Sequence, residues 1–186
     1  MICYSEVDSP VGRLILKSEG EALTGIYMSG AYLDAPRQLP PELHRWVLEP
    51  TAAPLRETAR QLDEYFKGER RDFDLPLRLD GTEFQRRAWH NLSEIPYGNT
   101  RSYGEQARRI GNPKASRAVG LANGRNPIPI VVPCHRVIGA DGSLTGFGGG
   151  IARKRWLLAH ERRYLGEEPA VVVGQSFELL AHAAMR

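Results

Sequence analysis

The sequence is poor in cysteine, in long apolar runs and, over its second half, in acid. Each shortage excludes something. Only two cysteines occur in 186 residues, Cys3 and Cys134. So far apart, they make no disulfide framework, and a reducing, cytoplasmic compartment is the expectation. No stretch approaches the ~18–20 apolar residues of a membrane span, so no membrane partner is expected. The N-terminal MICYSEVDSP is acidic and lacks the apolar segment of a secretory signal. The histidines (His44, His90, His135, His160 and His182) stand in no spacing with cysteine or carboxylate that reads as a metal site, and no metal is expected.

The scarcity of acid is local. Residues 1–80 carry 10 Lys/Arg against 14 Asp/Glu, residues 81–165 carry 14 against 5, and residues 166–186 carry 1 against 3. A basic segment beside an acidic one is the footprint of a phosphate-rich partner; a merely solvated charged face is the alternative.

The first third reads as strands. ICYSEV, GRLILKS and ALTGIYM are apolar and β-branched, with SPVG and SEGE as turns between them. They predict an antiparallel three-stranded meander. Residues 29–53 are Pro-rich and irregular. Leu55–Phe66 carries one apolar stripe and predicts a helix ending at Gly68, and residues 70–81 read as a connection between two domains.

The second unit opens on Thr82-x-x-Gln85, a capping box ahead of a helix with Phe84, Ala88, Trp89 and Leu92 on one face. Ser102-x-x-Glu105 is a second box, opening a short helix closed by Gly111. Asn112 then reads as the cap of a third helix, Lys114 to about Asn123, with Pro113 in its first turn. Two helices joined by a short glycine-containing turn have helix-turn-helix geometry. Three prolines (Pro127, Pro129 and Pro133) then predict an extended edge segment, followed by a Gly-rich loop over 139–150 and a last helix from about Ile151 to Glu161. The expected organisation is therefore 1–80, 81–165 and a tail, 166–186.

Cys134 stands between Pro133 and His135. Thiol chemistry needs a base and a group to orient that base, and Glu161 is the acidic candidate in this half. Neighbours in a strand point to opposite faces, so Cys134 and His135 can cooperate only across a bend or through a water. Spacing alone leaves a buried inert cysteine as the better-supported alternative.

NPIPIVVPCHRVIG, with IPYGNTRSYGEQA, GNPKASRAVGLANGRNP, SLTGFGGG and RKRWLLAHE in the same order, resembles the O6-alkylguanine-DNA alkyltransferases, the methylated-DNA–protein-cysteine methyltransferases. The resemblance is detailed from Thr82 to Glu161. It implies an α+β fold of two domains: an N-terminal ribonuclease-H-like roll, and a C-terminal, mostly helical, winged helix-turn-helix-like domain. It implies Cys134 as alkyl acceptor, His135 as base through a water, Glu161 polarising His135, and Asn126 bracing the turn. Tyr103, Val137, Phe147 and Gly148 would contact the flipped guanine. Phe147 and Gly148 stand where the family often has tyrosine or serine. Arg117 would fill the vacated stack, and Tyr103, Gly104, Asn112, Lys114, Ala115, Ser116 and Ala118 would meet DNA along its minor groove.

The implied function is irreversible, single-turnover repair of O6-alkylguanine in double-stranded DNA by a monomer, with O4-alkylthymine and cooperative binding left open. No cofactor is implied, and Cys3 has no companions for the zinc site some members carry. A non-catalytic module that recruits other repair proteins is the runner-up, though relatives of that kind replace the cysteine. A thiol hydrolase is a third reading, suggested by Cys-His-Glu alone.

Overall fold

The computed structural model describes residues 1–29 and 40–166. The expected tail therefore lies almost wholly outside the described residues, as does part of the Pro-rich stretch. The three expected strands form as β1 (Ile2–Val7), β2 (Leu14–Glu19) and β3 (Ala22–Met28), paired antiparallel in chain order. A fourth strand, β4 (Val47–Leu48), pairs parallel to β1, so the sheet is mixed, in the order β3-β2-β1-β4. Two exposed residues are too few for any periodicity to show, which is why the sequence reads there as irregular.

Helix α1 (Ala53–Phe66) begins two residues before the predicted start because Pro54 fits the first turn, where an amide hydrogen has no helical partner. Its buried Leu55, Leu62 and Tyr65 cover the sheet. The connection is not a loose linker: Leu77 bridges to Leu23, with Leu23 donating to Pro76 and Arg78 donating to Leu23, so it lies along β3.

Both predicted capping boxes form, at Thr82/Gln85 and Ser102/Glu105. They open α2 (Glu83–Leu92) and α3 (Tyr103–Arg109), and α4 (Ser116–Gly124) follows. Asn112 does not cap α4. Its carbonyl accepts from Ala115, making a turn, and the helix starts at Ser116 behind an uncapped Ala115. The link between α3 and α4 is thus longer than the sequence suggests. Strand β5 (Arg101–Ser102) pairs parallel with β6 (Val137–Ile138).

Residues 126–133 are not an extended edge. Val132 donates to the Ile128 carbonyl at 2.9 Å, and Ile130 adopts a φ of 76° at zero exposure. A β-branched residue in the left-handed region is strained by about 1–3 kcal/mol and persists only where its surroundings hold it. Prolines limit the conformations of this run, but the run folds into a buried turn because its isoleucines and valines have a core to enter.

Helix α5 (Ile151–Tyr164) runs three residues beyond Glu161, which therefore sits one turn inside the end. One apolar cluster joins β2, β3 and α1 to Trp89, Leu92, Ile128, Ile130, Val132, Cys134 and Leu157. The two halves share this core, and the cysteine is part of it.

Candidate active site

Cys134 opens a 3-10 turn, Cys134–Arg136, immediately after Pro133. In such a turn successive side chains diverge by about 120°. Cys134 therefore borders a cavity of about 260 Å³, while His135 turns toward α5. The cavity is lined by Tyr27 of β3, by Arg125, Asn126 and Pro127 ahead of the buried turn, and by Phe147 and Gly148 of the Gly-rich loop. It lies just under the usual range of small-molecule sites, about 300–1,000 Å³.

Cys134 is 4 % exposed. Burial pushes its thiol up to about 11, against the opposing pull of the Asn126 side chain, the Lys154 charge and the backbone amides of Cys134 and His135. At neutral pH the resting group is a thiol. Asn126 clamps the strained turn: its Nδ2 donates to the Val132 carbonyl at 2.7 Å and its Oδ1 accepts from Ile128 N–H at 3.1 Å.

His135 is fully buried. Its Nε2 lies 2.8 Å from Glu161 Oε1, and its Nδ1 has no hydrogen-bond partner within the protein. Burial lowers the His135 pKa, outweighing the carboxylate that would raise it, so the ring is neutral at pH 7. With a carboxylate on Nε2, that nitrogen carries the hydrogen and Nδ1 is left as the basic atom.

Glu161 is also fully buried, and burial alone would raise its pKa. His135 and Arg136 prevail and hold it well below the usual carboxylate range. Arg136 Nη2 donates to Oε1 at 2.9 Å and its Nε to Oε2 at 3.0 Å; Tyr65 Oη donates to Oε1 at 2.9 Å and Gly98 N–H to Oε2 at 2.9 Å. Among the described residues of the second half, His135 and Arg136 make the ion pairs, both with Glu161.

Tyr103, the first residue of α3, donates to the Thr145 carbonyl at 2.8 Å, and burial raises its pKa, so it is a neutral phenol. A side chain at Gly146 would meet its hydroxyl, and one at Gly149 would collide with Met28 and Phe147. These glycines therefore serve close packing. Lys154 is buried against the same loop. Its Nζ donates to the Val137 and Thr145 carbonyls at 2.5 Å each and lies 3.5 Å from Tyr103 Oη; burial lowers its pKa to about 8.

The structure brings together Cys134, His135, Asn126 and Glu161, with Phe147 and Gly148 on the cavity wall. It does not place Val137 there. That side chain is fully buried in the core, and what it offers the site is the carbonyl that holds Lys154. Tyr103 stands beside the cavity lining, between Thr145–Gly146 and Gly120 of α4. Arg117, Ala118, Asn112 and Lys114 are exposed, and Gly104, Ala115 and Ser116 are half-buried, all within the α3–α4 unit. Sequence reasoning missed Tyr65, Arg136, Lys154 and Gly98. Arg136 and Lys154 do lie inside the PCHR and RKRW motifs, which are the signal that could have found them.

Residues 2–79 match the profile of the 6-O-methylguanine DNA methyltransferase ribonuclease-like domain, and residues 83–163 that of the DNA-binding domain. The chain belongs to this family of methyltransferases. A methylated-DNA–protein-cysteine methyltransferase of Mycolicibacterium paratuberculosis is 53 % identical over 88 % of this chain and 94 % of its own length. One from Methanosarcina acetivorans is 49 % identical over 85 % and 97 %. The crystal structure of Mycobacterium tuberculosis OGT in complex with DNA superposes with a TM-score of 0.76 at 50 % identity, covering 90 % of this chain and 96 % of that one. The α+β, two-part architecture expected from sequence is the family's. Among the described residues no cluster of three or more His, Cys, Asp or Glu side chains could hold a metal, and no helix is long and apolar enough to cross a membrane.

Proposed function

We propose that this chain reverses alkylation damage in DNA directly, moving the alkyl group from guanine O6 to Cys134 Sγ once per molecule. The observation that carries the reading is the Nδ1 of His135. It is a basic atom on the residue next to Cys134, buried without a protein partner, on a ring held from behind by a carboxylate. An inert cysteine needs no such neighbour.

The O6 substituent is hidden inside a duplex, so the nucleotide must rotate out, at a cost of a few kcal/mol. Arg117, exposed on α4, fills the gap, and the small Ala115 and Ala118 let the helix backbone approach the minor groove. With the base seated, a water passes the Cys134 proton to His135 Nδ1, and Glu161 steadies the imidazolium. Sγ attacks the alkyl carbon, the C–O6 bond breaks, and its electron pair stays on the guanine. Tyr103, a neutral phenol beside the cavity, turns its one hydroxyl hydrogen from the Thr145 carbonyl to the departing base, and that carbonyl keeps the bond it already accepts from Lys154. The proton lost by the thiol balances the one the guanine regains. The thioether left on Cys134 has no second nucleophile to release it, so the protein is spent.

The family membership and the names of its relatives support this reading, as does the DNA complex of a relative. It includes a monomer acting on double-stranded DNA in the cytoplasm. Incubation with a duplex containing O6-methylguanine, followed by intact mass, tests it. One methylene gained on the Cys134 peptide, saturating at one per protein and absent in Cys134→Ser, is expected. Tight binding without an adduct would mark a non-catalytic module, and many turnovers would mark a hydrolase-like cycle.

A further inference from the structure

We propose that the outer face of α2 and the C-terminal end of α3 form a second DNA-backbone contact, gripping phosphates beside the segment that contains the flipped base. The inference rests on the reading that α3 and α4 hold the lesion. A shallow groove of about 640 Å³ runs between these helices, lined by Arg86, Arg87, His90, Glu94 and Arg109 among others. It lies away from the lesion-facing end. Tyr103 begins α3 and Arg109 ends it, about 9 Å apart by helical rise.

The charges in the groove are unlike those of the N-terminal half. There, Arg13, Arg60, Lys67, Arg70 and Arg78 each pair with a carboxylate. Arg86, Arg87 and Arg109 are exposed, and among the described residues none of them makes an ion pair. Arg86 is hydrogen-bonded to the Gly81 carbonyl, which leaves its charge uncompensated. Among the carboxylates nearby Glu105 caps α3, while Glu94 lines the groove and accepts from the neutral Asn91 amide at 2.7 Å, and Glu83 opens α2; Arg86, Arg87, Arg101 and Arg109 outnumber Glu83 and Glu94 and leave the face net positive. Beneath the groove Arg101 is fixed on Asn91 at 2.8 Å, and its pKa is lowered by burial and then by Arg109, a sign of crowded positive charge. Exposed guanidinium groups concentrated this way repel one another, and a polyanion relieves the repulsion by releasing its counterions. Duplex DNA is the polyanion this domain already meets.

The test combines Arg86→Gln, Arg87→Gln and Arg109→Gln in a Cys134→Ser background, so that binding is read without transfer. Affinity is measured against salt on a lesion duplex of about 40 base pairs. The slope of log affinity against log salt should flatten by about 2.7 for three lost phosphate contacts, so the parent's advantage should shrink about 40-fold between ~50 and ~200 mM salt. With Cys134 restored, the triple variant should react with free O6-methylguanine base at the parental rate, which shows that it is folded. An unchanged slope overturns the proposal. A parent that binds the duplex without regard to the lesion sinks the helix-turn-helix reading, and the groove with it.

Discussion

One sulfur should show two different pH profiles, depending on what it is asked to attack. Burial raises the Cys134 thiol from an ordinary 9.0 to about 11. A thiol that ionises about two pH units later has a thiolate fraction about 100-fold smaller at neutral pH. A thiolate of higher pKa is intrinsically more nucleophilic, by about 10-fold over that interval at a Brønsted slope near 0.5. The net expectation is attack on a small alkylating reagent about 10-fold slower than by the same cysteine in the unfolded chain, with 4 % exposure slowing it further. The measurement is iodoacetamide labelling followed by intact mass in a Cys3→Ser background. The rate should climb tenfold per pH unit through pH 9 without a plateau. Methyl transfer from a lesion duplex should behave otherwise, because in the proposed relay the proton leaves through His135. Burial keeps that ring neutral below its ordinary value of 6.5, so transfer should stay level from pH 8 down through 6.5 and fall only below that. Labelling that levels off near pH 8.5 would refute the thiol assignment. Transfer that climbs in parallel with labelling would refute the histidine relay.

Three further outcomes follow from the same contacts. Tyr65→Phe removes a buried donor to a carboxylate and should cost about 1.5–3 kcal/mol, read as a Tm lowered by about 3–12 °C, with the mass gained on methylation unchanged. Arg117→Ala should slow transfer from duplex far more than reaction with free O6-methylguanine base, and equal losses would remove its role in the stack. Acid should destabilise the fold in two stages, followed by Tm against pH. His135 and Glu161 both have lowered folded values, so the unfolded chain binds more protons than the native one. Stability should therefore decline as pH falls below about 6.5 and again below about 4.5, and His135→Gln should weaken the first stage without removing it, because burial lowers the folded value of His160 as well.

What the sequence disclosed depended on the range of the interaction. Thr82, Gln85, Ser102 and Glu105 were legible because a capping box closes over three residues and needs nothing else from the fold. Asn112 carried the same kind of local signal and misled: a turn that Ala115 closes on its carbonyl satisfied the backbone first. Residues 126–133 misled because proline rules describe a chain without tertiary partners, whereas burial of Ile128, Ile130 and Val132 outweighs the strain at Ile130. Val137 shows the same limit inside the motif. The residue type alone gave no indication that its carbonyl, and not its side chain, faces the site.

The contacts least visible in sequence explain why the N-terminal half is attached at all. Tyr65 is an ordinary member of an apolar stripe in α1, yet its hydroxyl bonds Glu161, 96 residues away. His160 Nε2 reaches the Tyr65 carbonyl at 2.8 Å, and Arg153 Nε donates to the Val11 carbonyl at 2.8 Å. Ile26 of β3 donates to Pro127 at 2.8 Å, at the mouth of the strained turn. A buried carboxylate is tolerable only when its lone pairs are filled, and a strained turn only when its neighbours fix it. The sheet and α1 supply both conditions. Without them Glu161 would lose a donor, its tie to α1 would vanish, and the turn carrying Asn126 and Cys134 would be free to relax. In the proposed mechanism the acidic half therefore acts by keeping the geometry around Cys134 and Glu161 rigid, and a C-terminal half expressed alone should bind DNA more readily than it transfers methyl from it.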